Sequence, residues 1–372
     1  MKSDSYYLDY NATSPLVKPV LDYLAKGDLP FANPASSHKL GKQSKKIINS
    51  SSQKIKEALS VKDFSIFYHS GATEGINTIF NLNKDDAFFY FTSDHPAVTS
   101  VAEALKSKGV KVHAFKIDSD GQFDLEKITS KINSVNVVGN MWLNFTFGHN
   151  ETGVVWDLDL ALKIKSKCDV KIHVDAVQSI SKIKKFQSLR VELDAYTFSS
   201  HKFGGPKSFG FSLLKNKSDI QALILGGAQQ GNLRSGTENP SAIEMTWIAL
   251  DHHLQSDEFD KAMSFRKKLE DLFTAHNCFK VVAKNQSRTC NTIGLICSTD
   301  KNDIMLTKFD MNGFYISKGS ACSSGSTLAS QTILDMGFEK ESENFLRLSF
   351  SPLMDFDQEA LLLKVDSFVK SL

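Results

Sequence analysis

Long apolar runs, an excess of charge of one sign and paired cysteines are all missing from this sequence. No apolar stretch approaches the roughly 18 residues that a membrane-spanning helix needs, so no span is expected. The first residues, Met-Lys-Ser-Asp-Ser, carry no apolar core of a secretory signal. Lys and Arg number 44 against 42 Asp and Glu, a net charge of +2, and the lysines are scattered among Ser and Asn. Neither a basic face for direct nucleic-acid binding nor an acidic tail is expected. The five cysteines, Cys168, Cys278, Cys290, Cys297 and Cys322, are odd in number and show no CxxC or zinc-ligand spacing. That argues against a disulfide framework and a metal site, and for a reducing, cytoplasmic setting with one thiol available for reaction.

What is present is a long chain with a large potential core. Its 372 residues are 41% hydrophobic, enough for one large and one smaller domain. Between about residues 61 and 215, short apolar runs rich in aromatic and β-branched residues fall at 64–68, 87–92, 111–116, 135–142, 171–175, 195–198 and 209–214. Helical patterns, for example at 95–108 and 158–167, separate several of them. Strands alternating with helices predict an α/β fold with a mostly parallel sheet flanked by helices. From about residue 241 the pattern changes to a long helical stretch, 241–275, and then a separate strand and helix set closing with an amphipathic helix at 355–369. The expected division is a large domain, 14–250, and a smaller α+β domain formed by 1–13 and 251–372.

Polar groups at strand ends carry the chemistry, because an open parallel sheet binds its ligand outside the carboxyl ends of the strands. Lys202 follows a strand pattern in Ser199-Ser-His-Lys202 and precedes two glycines and a proline. A lysine amine placed there can attack a carbonyl, and pyridoxal 5′-phosphate (PLP) is the usual protein-bound aldehyde. Asp175 closes His173-Val-Asp175, where a carboxylate could face a pyridine nitrogen, with Gln178 beside it. Ser70-Gly-Ala-Thr-Glu-Gly75 opens a helix directly after a strand, as an anion site or as a simple cap. His95 stands at a strand-to-helix junction, able to stack on a ring and to move protons. Arg234-Ser-Gly-Thr237 follows a glycine-rich loop and reads as an anion site. Cys322 lies among small residues in Gly319-Ser-Ala-Cys-Ser-Ser-Gly325, with Lys318 nearby to favour thiolate. Arg347, inside an apolar strand, needs a carboxylate partner from the protein or from a substrate.

Together and in this order, the pieces resemble the cysteine desulfurases of the IscS/NifS group, within the class V aminotransferase superfamily. The opening Tyr7-Leu-Asp-Tyr-Asn-Ala-Thr-Ser-Pro15, Asn33-Pro-Ala-Ser36 with His38, and Asn150-Glu-Thr-Gly153 belong to the same pattern, which covers nearly the whole chain. The resemblance implies a PLP-dependent transferase fold of type I and a homodimer. It makes Lys202 the Schiff-base lysine, Asp175 the partner of the pyridine nitrogen, Gln178 a contact of the ring oxygen and His95 the stacking residue. Ala72, Thr73, Ser199 and His201 would hold the phosphate, joined by Thr237 of the partner subunit. Asn150, at the cofactor, would also grip the substrate carboxylate with Arg347 and Asn33. Cys322 would take sulfur from L-cysteine as a persulfide, release L-alanine and pass the sulfur to an unidentified acceptor protein.

One departure from the family pattern stands out. Asn144 and Asn150 are separated by five residues that include Phe145 and Phe147, where the family has two adjacent asparagines. Either asparagine could face the ligand, and the segment 144–149 is expected to add bulk to the pocket. This keeps a selenocysteine lyase, another class V aminotransferase-type lyase, and a weakly active sulfur-relay or assembly subunit open as alternatives.

Overall fold

The computed structural model describes residues 5–275, 278–299, 302–319 and 330–372. Its strands are β1 (Tyr6–Tyr7), β2 (Ser65–His69), β3 (Ala87–Phe91), β4 (Lys111–Phe115), β5 (Met141–Thr146), β6 (Lys171–Asp175), β7 (Ala195–Ser199), β8 (Gly210–Leu214), β9 (Phe279–Val281), β10 (Thr292–Cys297), β11 (Phe314–Tyr315) and β12 (Phe345–Ser349). Its helices are α1 (Lys18–Ala25), α2 (Lys39–Ala58), α3 (Ala72–Ile79), α4 (Pro96–Ser107), α5 (Leu125–Asn133), α6 (Leu158–Lys167), α7 (Pro240–Leu254), α8 (Phe259–Thr274), α9 (Asn302–Met311), α10 (Gln331–Asp335) and α11 (Gln358–Lys370).

Seven strands form the main sheet in the order β2-β8-β7-β6-β5-β3-β4. Strands β7, β6, β5, β3 and β4 run parallel, while β8 pairs antiparallel with both β2 and β7. Every residue of β3 (Ala-Phe-Phe-Tyr-Phe) and of β7 is buried, as expected of parallel strands covered on both faces. The two faces carry separate cores, one around Phe89, Phe145 and Phe198 and one around Phe67, Phe88 and Trp142. A third core joins Leu8 to Phe265, Phe309, Phe314, Leu346 and Phe368, around the antiparallel sheet β12-β10-β9 and the parallel pair β1-β11. No helix among the described residues is long and apolar enough to cross a membrane.

Two expected elements differ. The run 135–142 is not one strand: Val138 is 97% exposed, and β5 begins at Met141 and reaches Thr146. The Asp86 carboxylate accepts the Asn140 N–H at 2.7 Å and the Asp85 carbonyl accepts the Gly139 N–H at 2.8 Å, so residues 139–140 are held as a turn. The stretch 241–275 is two helices, because the polar residues Gln255 to Glu258 break it, with Ser256 Oγ accepting the Glu258 N–H.

The third core encloses charges. Glu270 lies 2.6 Å from Arg288 and 3.4 Å from Arg266, and all three are at most 3% exposed. Removing one charge from such a cluster leaves the others uncompensated in a medium that solvates them poorly. Glu270→Gln, which keeps the shape, should therefore cost about 3–5 kcal/mol in equilibrium unfolding by denaturant. A loss below about 1 kcal/mol, the scale of an exposed ion pair, would contradict the buried arrangement.

Candidate active site at the carboxyl edge of the sheet

The carboxyl ends of the parallel strands open into a cavity of about 340 Å³. Strand β6 delivers Asp175 and then Gln178; β7 delivers Ser199, and the short turn Ser200–Lys202 that follows delivers His201 and Lys202. The first turn of α3 adds Ala72 and Thr73, the cap of α4 adds His95, and Asn150 and Arg347 complete the wall. Residues spread over more than two hundred positions of sequence thus meet because each closes a strand or opens a helix at one edge.

Each is held by identifiable contacts. Lys202 Nζ donates to the carbonyls of Asn11 at 2.7 Å and Ala12 at 2.8 Å. The Asp175 carboxylate accepts the Val177 N–H at 3.1 Å; burial pushes it up to about 6, against the opposing pull of that hydrogen bond and of Lys202. His95 caps α4 by accepting the Ala97 N–H on Nδ1 at 3.1 Å. Burial, then Lys202, His149 and Arg347, lower it to about 4, so the ring is neutral near pH 7. His201 is lowered to about 4 by burial and by the neighbouring lysines, and its Nδ1 meets Thr13 Oγ1 at 3.1 Å. Gly71 has φ +151°, where a side chain would be strained, and it opens α3. The first-turn N–H groups of a helix lack helical acceptors and carry the positive end of the dipole, so Ala72 and Thr73 offer an anion a seat.

Arg347 is 1% exposed. Its Nη2 reaches Asp9 at 2.7 Å and its Nη1 donates to the Asn150 carbonyl at 3.2 Å, while its Nε makes no hydrogen bond among the described residues. A protein carboxylate therefore answers part of its demand. Arg234 does not form an anion site: its Nε donates to Glu74 at 2.9 Å and so ties the loop after β2 to residues 229–234. Burial alone would raise Glu74, but Arg234 and the Ser70 N–H outweigh it and hold the carboxyl below its ordinary range.

The structure places Asn150 on the cavity wall and Asn144 elsewhere. Asn144 is fully buried in β5, opposite His173 of β6. Residues 144–146 complete a strand, and Phe145 and Phe147 pack in the core, so those two rings add no bulk to the cavity, whereas Thr146 and Gly148 line it. Asn33 and Thr237 are exposed and do not line the cavity in this chain. The Asn33 side chain instead accepts the Ala35 N–H at 2.9 Å. Cys322 lies outside the described residues, and Lys318 is paired with Asp303.

Sequence reasoning missed Asn11 and Lys182. The Asn11 carbonyl accepts from Lys202 and, at 3.0 Å, from Gln178 Nε2. Lys182, 1% exposed, donates to Asn11 Oδ1 at 3.2 Å and to Gln178 Oε1, which turns the Gln178 amide nitrogen toward Asn11. Burial drives this lysine well below its ordinary range. The available signal was an asparagine inside the Tyr10-Asn-Ala-Thr13 run, whose partners lie 167 to 191 residues away.

A lysine, a buried carboxylate and a helix N-terminus thus gather around one cleft at the carboxyl edge of a mostly parallel sheet. The sequence profile of the family described as Aminotransferase class-V matches residues 6–360, and the chain belongs to that family. It is 29% identical over 360 residues to the cysteine desulfurase IscS of Clostridium botulinum, a match covering 92% of this chain and 88% of the relative. It is 30% identical over 336 residues to the cysteine desulfurase NifS of Azotobacter vinelandii, covering 86% and 81% respectively. The X-ray structure of a NifS-like protein from Rickettsia africae superposes with a TM-score of 0.86 at 25% identity, covering 99% of this chain and all of that one.

Proposed function

We propose that this enzyme is a PLP-dependent cysteine desulfurase, which converts L-cysteine to L-alanine and carries the sulfur away as a persulfide on Cys322. The observation that carries the reading is the pairing of Lys202 with buried Asp175 in one cavity that also holds the Ala72–Thr73 helix start. The residues fit the cofactor: a buried carboxylate pushed upward by its surroundings favours a cationic neighbour, and a protonated pyridine nitrogen is one. Ala72, Thr73, Ser199 and His201 would hold the phosphate, Gln178 the ring oxygen, and His95 the ring face. When bound, PLP supplies an aldehyde that takes up amines and a ring that withdraws electrons from the substrate α-carbon.

The chain's own groups do the rest. Lys202 holds and releases protons at Nζ. His95, neutral near pH 7, has its Nδ1 committed to the Ala97 N–H, so Nε2 carries its proton. Asn150 and the Arg347 guanidinium bind the substrate carboxylate, with Asp9 holding the guanidinium in place. The Cys322 thiolate attacks the substrate sulfur; the S–S bond of a persulfide forms as the carbon–sulfur bond breaks, and the remaining carbon takes a proton to give alanine. Arg347→Lys should raise KM for L-cysteine about 10- to 100-fold, the worth of a charge-assisted hydrogen bond of about 1.5–3 kcal/mol, with a smaller change in kcat. An unchanged KM would remove Arg347 from carboxylate binding.

Exposed Leu223, Ile224 and Leu225 flank the glycine-rich loop that precedes Thr237. They support a homodimer in which Thr237 of the partner subunit completes the phosphate site, and Asn33 likewise belongs near that boundary. The core around Leu8, Phe265 and Phe368 draws only on residues 1–13 and 251–372 and supports a small unit of that extent beside a large one, 14–250, against which Val282, Ile333 and Phe345 also pack. Phe145 and Phe147 pack in the core while Thr146 and Gly148 line the cavity, which supports the desulfurase reading over one based on a pocket narrowed by those two rings. The test is incubation with L-cysteine and, separately, with selenocysteine and sulfur-free amino acids. Alanine released in proportion to sulfur transferred to a thiol acceptor is expected; preference for a substrate without sulfur would overturn the reading.

A further inference from the structure

A row of polar side chains runs across the main sheet one step below the cavity floor. Thr146, Asp175 and Ser199 reach the cavity from β5, β6 and β7. Two positions earlier, on the same face of the same strands, stand Asn144, His173 and Thr197, each fully buried. Ser212 on β8 and His69 on β2 extend the row. The contacts are continuous: Asp94 to Asn144 at 2.9 Å, Asn144 to His173 at 2.8 Å, His173 to Thr197 at 2.8 Å, Thr197 to Ser212 at 2.8 Å and Ser212 to His69 at 3.0 Å. Phe80 seals it edge-on against His173, with ring centroids 5.1 Å apart.

The donors and acceptors give the row a direction. Asn144 Nδ2 donates to the Asp94 carboxylate, so Asn144 Oδ1 accepts and His173 carries its hydrogen on Nδ1. His173 Nε2 then accepts from Thr197, Thr197 from Ser212, and Ser212 from His69 Nε2–H. Every donor points toward Asp94. That carboxylate also accepts the Thr146 hydroxyl at 2.8 Å and the Phe91 N–H at 3.0 Å, closing the turn that presents His95. A row of apolar side chains would fill this layer at less cost in desolvation, so core packing does not account for it.

We propose that Asp94 is a positioning residue of the active site, which fixes Thr146 and His95 at the cavity wall and supplies, with the oriented row behind it, a second buried negative charge that favours a cation against Asp175. The inference rests on the PLP reading. Asp94 is pushed up to about 7, first by burial and also by the Asp175 charge. The other titratable groups facing it are Tyr90 on β3, His173 on β6, His149 beyond β5 and His95. Burial keeps the three histidines below their ordinary range, so they bring no positive charge near pH 7. Two carboxylates that oppose each other's ionisation are both relieved by one bound cation, and the relief is reciprocal.

The test is a pH titration of the visible absorbance of the PLP-loaded protein, read beside kcat, KM and thermal stability. Asp94→Asn keeps the shape and removes the charge. The protonated form of the bound cofactor should then give way about one pH unit lower, a tenfold change in its proton equilibrium, with kcat reduced and KM for L-cysteine nearly unchanged. Thr197→Val, which interrupts the row and leaves Asp94 in place, should shift the titration the same way by less, and it provides the reading if Asp94→Asn does not fold. A titration identical to wild type, even with a lowered melting temperature, would reduce Asp94 to a structural role and overturn the inference while leaving the desulfurase reading intact. A wild-type protein that takes up no PLP would overturn both.

Discussion

Lys202→Ala will abolish turnover of L-cysteine, by about a thousandfold or more, and will remove the absorbance of lysine-bound PLP while the cofactor still binds noncovalently. Among the described residues that line the cavity, Lys202 is the one lysine. Lys182, the other buried amine nearby, stands behind Gln178 and spends its donors on two amide oxygens. It is poorly placed to substitute. Under the proposed function Lys202 would combine two roles whose losses compound: its amine would bond the cofactor aldehyde, and it would carry protons to and from the substrate, a role worth about 10²–10⁴-fold by itself. Its position is set by the end of β7 and by the Asn11 and Ala12 carbonyls, which hold Nζ at 2.7 and 2.8 Å. The alanine variant leaves these carbonyls in place and adds no new group, so a large change in stability is not expected. Both readouts are needed, by alanine assay and by spectroscopy. Turnover within tenfold of wild type would show that another amine does the chemistry and would remove Lys202 from its assigned role.

How far the sequence discloses this site depends on the kind of signal. Strand β6 and helix α6 were readable to the residue because a β-branched run ends in a polar residue and an Asp157 cap opens the helix. Strand β5 was misplaced because Asn144 and Thr146 interrupt its apolar pattern. They sit inside the sheet because Asp94 and His173 satisfy them, and those partners come from other elements. Lys202, Asp175 and His95 were legible as polar residues at element ends, where apolar packing gives no reason for them. The partners of charged groups were not legible: Arg347 finds Asp9 across 338 residues, and Arg234 finds Glu74 across 160. An arginine announces a need for an anion, but the identity of that anion is fixed only when the chain is folded. Asn33 and Thr237 mark a further limit, since both are exposed in this chain and what an exposed residue meets is not decided by the packing of its own fold.

Cys322→Ala will leave PLP uptake and the spectral response to L-cysteine in place but will eliminate sulfur transfer to a thiol acceptor, by about a thousandfold or more, the scale on which a lost nucleophile acts. The thiol cannot be replaced from within the chain. Cys168 and Cys290 are buried, and burial raises both thiols, Cys290 to about 12. Cys297 is buried and Cys278 half-buried, both near the antiparallel sheet of the small unit and away from the cavity lining. Cys322 itself lies outside the described residues, but the residues flanking its segment are informative. Gly319 and Ser330 both lie against the Glu151 carboxylate: a Cβ built on Gly319 would stand 3.5 Å from it, and the Ser330 hydroxyl donates to it. Glu151 follows the cavity-lining Asn150, so Gly319 and Ser330, the described residues on either side of 320–329, lie near the cavity wall. Lys318, expected to favour the thiolate, is paired with Asp303 at the surface. Sulfur transfer should then follow the proton equilibria of the active site more closely than the charge of Lys318. Lys318→Met should accordingly change the pH profile of sulfur transfer little. Mass spectrometry after incubation with L-cysteine should find one added sulfur on the peptide containing Cys322 in the wild type and none on any cysteine of the Ala variant. Full sulfur transfer by Cys322→Ala, or a persulfide on another cysteine in its place, would show that the sulfur leaves by a different thiol.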